Sequence, residues 1–139
     1  MPADTDTVQF RVRYSETDRM DAVYNSRVLE WFEVGRTEYT RSMGLTYAEV
    51  EERGILLPIV EAHVEYEGRA GYDDLLEMTT TASMPSRLKV RFDVSIEHAN
   101  KDGRVASGYT LHAVTDSSGK PVRPPQWLLD VLQGGEGTE

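Results

Sequence analysis

The chain has 139 residues, a length that fits one domain. Its 24 Asp and Glu residues outnumber its 15 Lys and Arg residues, and the formal net charge of -9 disfavours binding to nucleic-acid phosphates. It has no cysteine, which excludes a disulfide framework, a thiolate nucleophile and a cysteine-ligated metal. The start of the chain has no secretory signal pattern, and no apolar run approaches the roughly 20 residues of a membrane span. We therefore expect a cytoplasmic domain that binds neither nucleic acid nor membrane.

Two different spacings of apolar residues divide the first third of the chain. From residue 8 to residue 14 apolar and polar side chains alternate, which predicts a strand with one buried face. Over residues 26–43 the apolar residues recur at helical spacing, and Gly44 follows, which predicts a long helix that ends there. Gly35, in the middle of this helix, predicts a close packing contact. Glu33 and Arg36 are expected to pair on the helix surface.

The rest of the chain is predicted to be mostly strand. A capping box from Thr46 to Glu49 predicts a short second helix that ends at Gly54. Four strands should follow at about 56–67, 75–84, 87–98 and 104–115. Their short turns favour antiparallel pairing, and residues 127–132 should form a last amphipathic turn. The order predicts an α+β domain over residues 1–139, with an ordered core at about 8–132 and mobile tails at 1–7 and 133–139.

Polar and aromatic residues crowd into segment 14–25, between the first strand and the long helix. Unpaired amides at a helix start suit a carbonyl oxygen or an anion, and a carboxylate beside them can attack a carbonyl or activate water. From the pattern alone, Asp18 and Asp21 are more often helix caps or turn residues. The three histidines are scattered over separate strands and do not predict a metal site.

The motif Tyr-x-Glu-Thr-Asp-x-Met-x-x-Val-Tyr at residues 14–24, followed by Leu-Glu-Trp-Phe-Glu at 29–33 and by Arg36, resembles the hot-dog-fold acyl-CoA thioesterases of the 4-hydroxybenzoyl-CoA thioesterase branch. It is most similar to the YbgC-like group, and the resemblance extends over residues 8–132. It implies a five-stranded curved antiparallel sheet wrapped around one long central helix. It further implies acyl-CoA hydrolysis with no cofactor apart from the coenzyme A of the substrate, and a homo-oligomer, a dimer of dimers.

The resemblance also implies roles for single residues. Asp18 would be the catalytic carboxylate, acting as nucleophile or as general base, and the helix amides near Asn25 would polarise the thioester carbonyl. Tyr14 would order the Asp18 loop or a water, and Tyr24 would line the acyl pocket. The family usually has Gly at position 21 and His at position 25. Asn25 can donate a hydrogen bond but cannot carry a proton in turnover.

Basic residues are the candidates for binding the coenzyme phosphates. Arg87, Lys89 and Arg91 alternate, which predicts that all three share one strand face. Such a pattern is also typical of strand edges that resist aggregation. Arg27, where the family usually has Asn, adds a cation near the helix start.

Two other functions remain open at this point. The protein could take its acyl group from an acyl carrier protein, although such carriers are also acidic and would be repelled by this chain. Alternatively, it could be a non-catalytic acyl-CoA-binding domain, which the changed residues Asp21 and Asn25 favour and the retained Asp18 disfavours.

Overall fold

Five strands form one antiparallel sheet in the computed structural model, which describes residues 5–17 and 25–132. The strands are β1 (Thr5–Arg11), β2 (Ile59–Tyr66), β3 (Leu75–Ser86), β4 (Lys89–His98) and β5 (Arg104–Ala113), and the helices are α1 (Asn25–Ser42), α2 (Tyr47–Glu52) and α3 (Gln126–Leu132). The strand order is β1-β3-β4-β5-β2, with every neighbouring pair antiparallel. The predicted α+β architecture with one long helix and four later strands is confirmed.

Helix α1 packs along one face of the sheet because its apolar residues form one stripe. The stripe is fully buried: Val28, Trp31, Phe32, Gly35 and Tyr39. The first half of α1 packs with Leu76 and Ile96, and the second half packs with Phe92, α2 and α3. A Cβ atom on Gly35 would lie 2.6 Å from Thr80 Oγ1, so the predicted close contact is confirmed and lies against β3.

Local signals placed the ends of both leading helices correctly. Gly44 follows α1 with a φ of 100°, and Gly54 follows α2 with a φ of 89°, a region that glycine adopts without strain. The Thr46–Glu49 capping box is present at the start of α2. None of the helices in the described part of the chain is long and apolar enough to cross a membrane.

The first strand begins earlier and ends earlier than predicted. Residues 5–7 belong to β1 instead of a tail, because the long strand β3 extends far enough to pair with them at Thr79–Thr81. The strand ends at Arg11, and Tyr14 lies in a short 3-10 turn with 77% of its surface exposed. The remaining predicted tail residues, 1–4 and 133–139, lie outside the described residues.

Two predictions about basic side chains were wrong. Ser86 pairs with Lys89, so Arg87 lies in the β3–β4 turn and does not share a strand face with Lys89 and Arg91. Alternation that continues across a two-residue turn hides the turn from a sequence pattern. Arg36 does not form an ion pair with Glu33 within the described residues, since α1 directs Arg36 inward and leaves it only 8% exposed.

Strand β2 lies at one edge of the sheet and is exposed on both faces. Seven of its eight residues are exposed, among them Ile59 at 48%, Val60 at 53% and Tyr66 at 48%. Within residues 5–17 and 25–132, no strand lies beside the backbone edge of β2 that faces away from β5. Such an edge is open to pairing with another strand.

Candidate functional site

The predicted site lies where the chain passes from β1 to α1. The 3-10 turn Tyr14–Glu16 ends before it, and α1 starts after it at Asn25. Residues 18–24, and with them the predicted residues Asp18, Asp21 and Tyr24, lie outside the described residues. The structure therefore describes the residues on either side of this segment, which are the 3-10 turn before it and the start of α1 after it.

A buried carboxylate fixes the first end to the central helix. Glu16 is 3% exposed, and its oxygens accept hydrogen bonds from the Arg13 backbone N–H at 2.8 Å and from the Trp31 indole N–H at 2.9 Å. The Arg13 guanidinium adds a third contact at 3.1 Å. Burial by itself would raise the pKa of Glu16, but these hydrogen bonds together lower it. Glu16 was not predicted as a site residue, although it belongs to the Tyr-x-Glu-Thr-Asp motif.

The second end is held by a contact with the edge strand. The Tyr66 hydroxyl donates to the Asn25 backbone carbonyl at 3.0 Å, which connects the start of α1 to the end of β2. Asn25 itself is exposed. Arg27 is paired with Glu30 at 3.0 Å, so its charge is already partly compensated. Tyr14 packs edge-on against Tyr72, with ring centroids 5.7 Å apart.

A groove of about 290 Å³ opens beside Glu16, between β1 and α1. It is lined by Phe10, Arg11, Arg13, Glu16, Glu30, Trp31, Val34 and Met78. The Phe10 and Trp31 rings meet edge-on at 5.0 Å and give it an aromatic wall. An apolar wall with arginines beside it suits an apolar chain attached to an anionic group.

The three predicted coenzyme-binding cations do not form one cluster. Arg91 binds both carboxylate oxygens of Asp93 at 2.9 to 3.1 Å, and its guanidinium lies 3.9 Å from the centre of the Tyr109 ring. The hydrogen bonds to Asp93 raise the pKa of Arg91. These groups lie on the sheet face opposite α1, since Val90 and Phe92 alternate with Arg91 and are buried.

Distance along the strands also separates these cations from the start of α1. Lys89 is opposite Ala113 on β5, whereas Tyr66 is opposite Ala106. Seven residues of strand correspond to about 23 Å. Within one chain, the structure brings together Glu16, Trp31 and the start of α1, and it leaves Arg87 and Lys89 at the other end of the sheet. No group of three or more histidine or carboxylate side chains among the described residues forms a metal site.

Several known proteins are similar to this chain in sequence. Residues 12–132 match the thioesterase-like superfamily. A protein of Aquifex aeolicus is 31% identical over 123 residues, which cover 88% of this chain and 94% of that protein. The acyl-CoA thioesterase YbgC of Haemophilus influenzae is 33% identical over 84 residues, covering 60% of this chain and 62% of that protein. YneP of Bacillus subtilis is 38% identical over 66 residues, which is 48% of each protein.

Solved structures have the same fold. A DHNA-CoA thioesterase from Staphylococcus aureus superposes with a TM-score of 0.83 and 27% identity, covering 94% of this chain and 87% of that chain. A 1,4-dihydroxy-2-naphthoyl-CoA thioesterase from Synechocystis has a TM-score of 0.86 at 22% identity over 92% of this chain and 95% of that chain, a likeness of fold alone. The sheet and helix are therefore those of the hot-dog fold, and the chain belongs to the thioesterase-like superfamily. The predicted enzyme class, thioester hydrolase, is confirmed at the level of the family.

Proposed function

We propose that this protein hydrolyses an acyl-CoA thioester to a carboxylic acid and free coenzyme A, with Asp18 as the catalytic carboxylate. The observation that carries the proposal is the family match over residues 12–132 in a chain that keeps Asp18 in the Tyr-x-Glu-Thr-Asp motif. The anchoring of Glu16 to Trp31 supports it, because Asp18 follows Glu16 by two residues and α1 begins seven residues after Asp18.

The chemistry needs a polarised carbonyl and one carboxylate. The first backbone amides of α1, near Asn25, offer hydrogen-bond donors and a partial positive charge to the thioester oxygen. Asp18 either attacks the carbonyl carbon, giving a mixed anhydride that water then hydrolyses, or removes a proton from the attacking water. In both routes a C–O bond forms and the C–S bond breaks. The coenzyme A thiolate leaves and takes up a proton, so no additional cofactor is required.

A pair of copies joined along β2 would complete the site. Antiparallel pairing of two β2 edges about a two-fold axis sets the Ile59 end of one copy beside the Tyr66 end of the other. Because Tyr66 contacts Asn25, the start of one α1 would then face the far end of the other copy's sheet. That end carries Arg87 and Lys89, which form no ion pair within the described residues and are our candidates for the coenzyme phosphates. Two such dimers would form the tetramer that the family resemblance implies.

Substitution of Asp18 tests the mechanism. We expect Asp18→Asn to abolish nearly all release of coenzyme A, measured as free thiol over a panel of acyl-CoA substrates, with Tm close to that of the wild type. Asp102→Asn is the matched control, since it makes the same change in the exposed β4–β5 turn. If Asp18 were only a helix cap, the variant would instead lose about 1 kcal/mol of stability and keep its turnover.

The same panel of acyl-CoA substrates also distinguishes the proposed function from the two alternative functions. Release of the acyl group from an acyl carrier protein, and not from coenzyme A, would identify a carrier-protein thioesterase. Measurable acyl-CoA binding with no thiol release from any substrate would identify a non-catalytic binding domain.

A further inference from the structure

A buried carboxylate connects the 3-10 turn that precedes segment 18–24 to the first half of α1. Glu16 is 3% exposed, and both of its carboxylate oxygens accept hydrogen bonds. One oxygen accepts from the Arg13 backbone N–H at 2.8 Å, and the other accepts from the Trp31 indole N–H at 2.9 Å. Burial of a charged group costs free energy unless donors compensate it, and here both donors belong to the protein.

A glutamate that only caps a turn does not need to be buried. Glu49 makes the same kind of contact at the start of α2, where its carboxylate accepts from the Thr46 backbone N–H at 2.8 Å. Glu49 is nevertheless exposed. The feature that distinguishes Glu16 from Glu49 is the second contact, the buried hydrogen bond to Trp31. The burial of Glu16 therefore serves the connection to α1 and is not needed for the turn itself.

Trp31 presents its indole N–H from a fixed position. Its side chain is 3% exposed, belongs to the same core cluster as Leu76 and meets the Phe10 ring edge-on, with centroids 5.0 Å apart. Trp31 lies six residues after Asn25, which corresponds to about 9 Å along the helix. The hydrogen bond therefore fixes Glu16 relative to the same helix whose first amides are proposed to polarise the thioester.

The chain has little freedom between Glu16 and the proposed catalytic residue. The backbone N–H and the hydroxyl of Thr17 both donate to the Tyr14 carbonyl, at 3.1 and 2.8 Å. Thr17 is therefore held on the turn, and Asp18 is the next residue, with about 3.8 Å between consecutive Cα atoms. Any displacement of the turn relative to α1 is thus passed on to Asp18.

We infer that Glu16 is a positioning residue for the proposed hydrolysis, because its hydrogen bond to Trp31 sets the position of Asp18 relative to the first amides of α1. This inference rests on the proposed function for the role of Asp18. Glu16 takes no part in the bond changes, since both of its oxygens are engaged by donors. A misplacement of reacting groups by about 1 Å can cost a hundredfold in rate. The effect of losing the hydrogen bond should therefore fall on kcat.

Two substitutions break this hydrogen bond from opposite sides. Glu16→Gln keeps the size of the side chain but replaces one acceptor oxygen by an amide NH2, which cannot accept from Arg13 or Trp31. Trp31→Phe keeps an aromatic ring in the core and removes the N–H. Each variant, assayed well below its own Tm, should lower kcat for acyl-CoA hydrolysis by roughly ten- to hundredfold and change KM by less than about threefold. The double variant should lose no more activity than the more affected single variant, since both changes remove the same bond.

Glu49→Gln is the matched control. It makes the same change in a capping glutamate of α2 that has no contact with α1 among its hydrogen bonds, and it should keep the kcat of the wild type. Thr17→Val is a further variant that leaves the core untouched, because the Thr17 hydroxyl contact is at the surface. It should lower kcat several-fold with little change in Tm. It keeps the inference testable if Glu16→Gln and Trp31→Phe do not fold.

A second measurement is independent of turnover. The chain has two tryptophans, so Trp31→Phe identifies the Trp31 indole signal in an NMR spectrum of the 15N-labelled protein. In the wild type this N–H should exchange slowly with solvent, and its chemical shift should change when Glu16 is protonated below pH 4.5. Glu16→Gln should remove this pH dependence. A rapidly exchanging indole N–H in the wild type would show that the bond is absent in solution and would overturn the inference.

The outcomes also separate this inference from the proposed function. Wild-type kcat in Glu16→Gln and Trp31→Phe would overturn the inference and leave the thioesterase proposal standing. A loss confined to KM, an equal loss of kcat in Glu49→Gln, or additive losses in the double variant would also overturn it. If the wild type hydrolyses no thioester, the proposed function fails, and the role assigned to Glu16 fails with it.

Discussion

At the scale of single residues, the buried His112 makes the stability of the folded protein depend on pH. The ring is 1% exposed and donates to the Leu57 carbonyl, and its pKa is lowered from 6.5 to about 4 by burial. In the unfolded chain the same ring takes up a proton near pH 6.5. Between these two values the unfolded state binds more protons than the folded state, so acid favours unfolding.

We therefore predict that stability is fully present above about pH 6.5 and is lost as the pH falls toward 4. The loss attributable to His112 is about 3 kcal/mol, from the difference between the two pKa values. Urea unfolding at a series of pH values measures it. His112→Gln should flatten this range of the profile, and an unchanged slope in that variant would show that another group is responsible.

Glu16 also stabilises the folded protein, and its contribution is lost at a lower pH than that of His112. Its pKa is lowered from 4.5 by the hydrogen bonds that oppose its burial, so its contribution is present above pH 4.5 and is lost as the pH falls through the folded-state pKa. We predict that Glu16→Gln removes the part of the acid profile below pH 4.5 and leaves the part between pH 6.5 and 4.5 intact. The His112 and Glu16 variants thus serve as controls for each other.

At the scale of elements, the position of α1 depends on how closely it approaches β3. A Cβ atom on Gly35 would lie 2.6 Å from Thr80 Oγ1 and 3.1 Å from Met78 Sδ. Thr80 and Met78 are both buried, so neither can move aside without disturbing the core. The helix therefore has a fixed distance from the sheet, and this distance positions Trp31 for its hydrogen bond to Glu16.

We predict that Gly35→Ala destabilises the protein by about 1 to 2 kcal/mol. Alanine is favoured in a helix by about 1 kcal/mol, but overpacking a core costs about 1 to 3 kcal/mol and should dominate. Urea unfolding of Gly35→Ala, Thr80→Ala and the double variant measures the coupling. The double variant should be more stable than the sum of the single changes predicts, whereas strict additivity would contradict the contact.

At the scale of the whole molecule, the open edge of β2 predicts self-association. Light scattering and analytical ultracentrifugation at micromolar concentration should give at least twice the chain mass of 15.7 kDa. Val60→Lys, on β2, should produce monomers and abolish hydrolysis because the site is shared. Ala48→Lys adds the same charge at an exposed residue of α2 and should change neither property. A monomer that hydrolyses acyl-CoA would contradict the shared site.

The sequence by itself determined the local structure of this protein. The helix and strand spacings, the capping box at Thr46 and the glycines at 44 and 54 all correspond to observed elements, because each depends on backbone preferences within a few residues. The family motif supplied the fold and the class of enzyme. It also indicated Asp18, whose role remains a prediction since residue 18 lies outside the described residues.

Only the tertiary structure decided which side chains meet. Glu16 and Trp31 are fifteen residues apart in sequence, and no spacing rule predicts their hydrogen bond. The same holds for Arg36, which sequence spacing assigned to the surface with Glu33 and which packing leaves only 8% exposed. The direction of a helical side chain relative to the core depends on how the whole helix is rotated against the sheet. That rotation results from the summed burial of the apolar stripe and from the Gly35 contact, which are long-range terms that a local pattern does not contain.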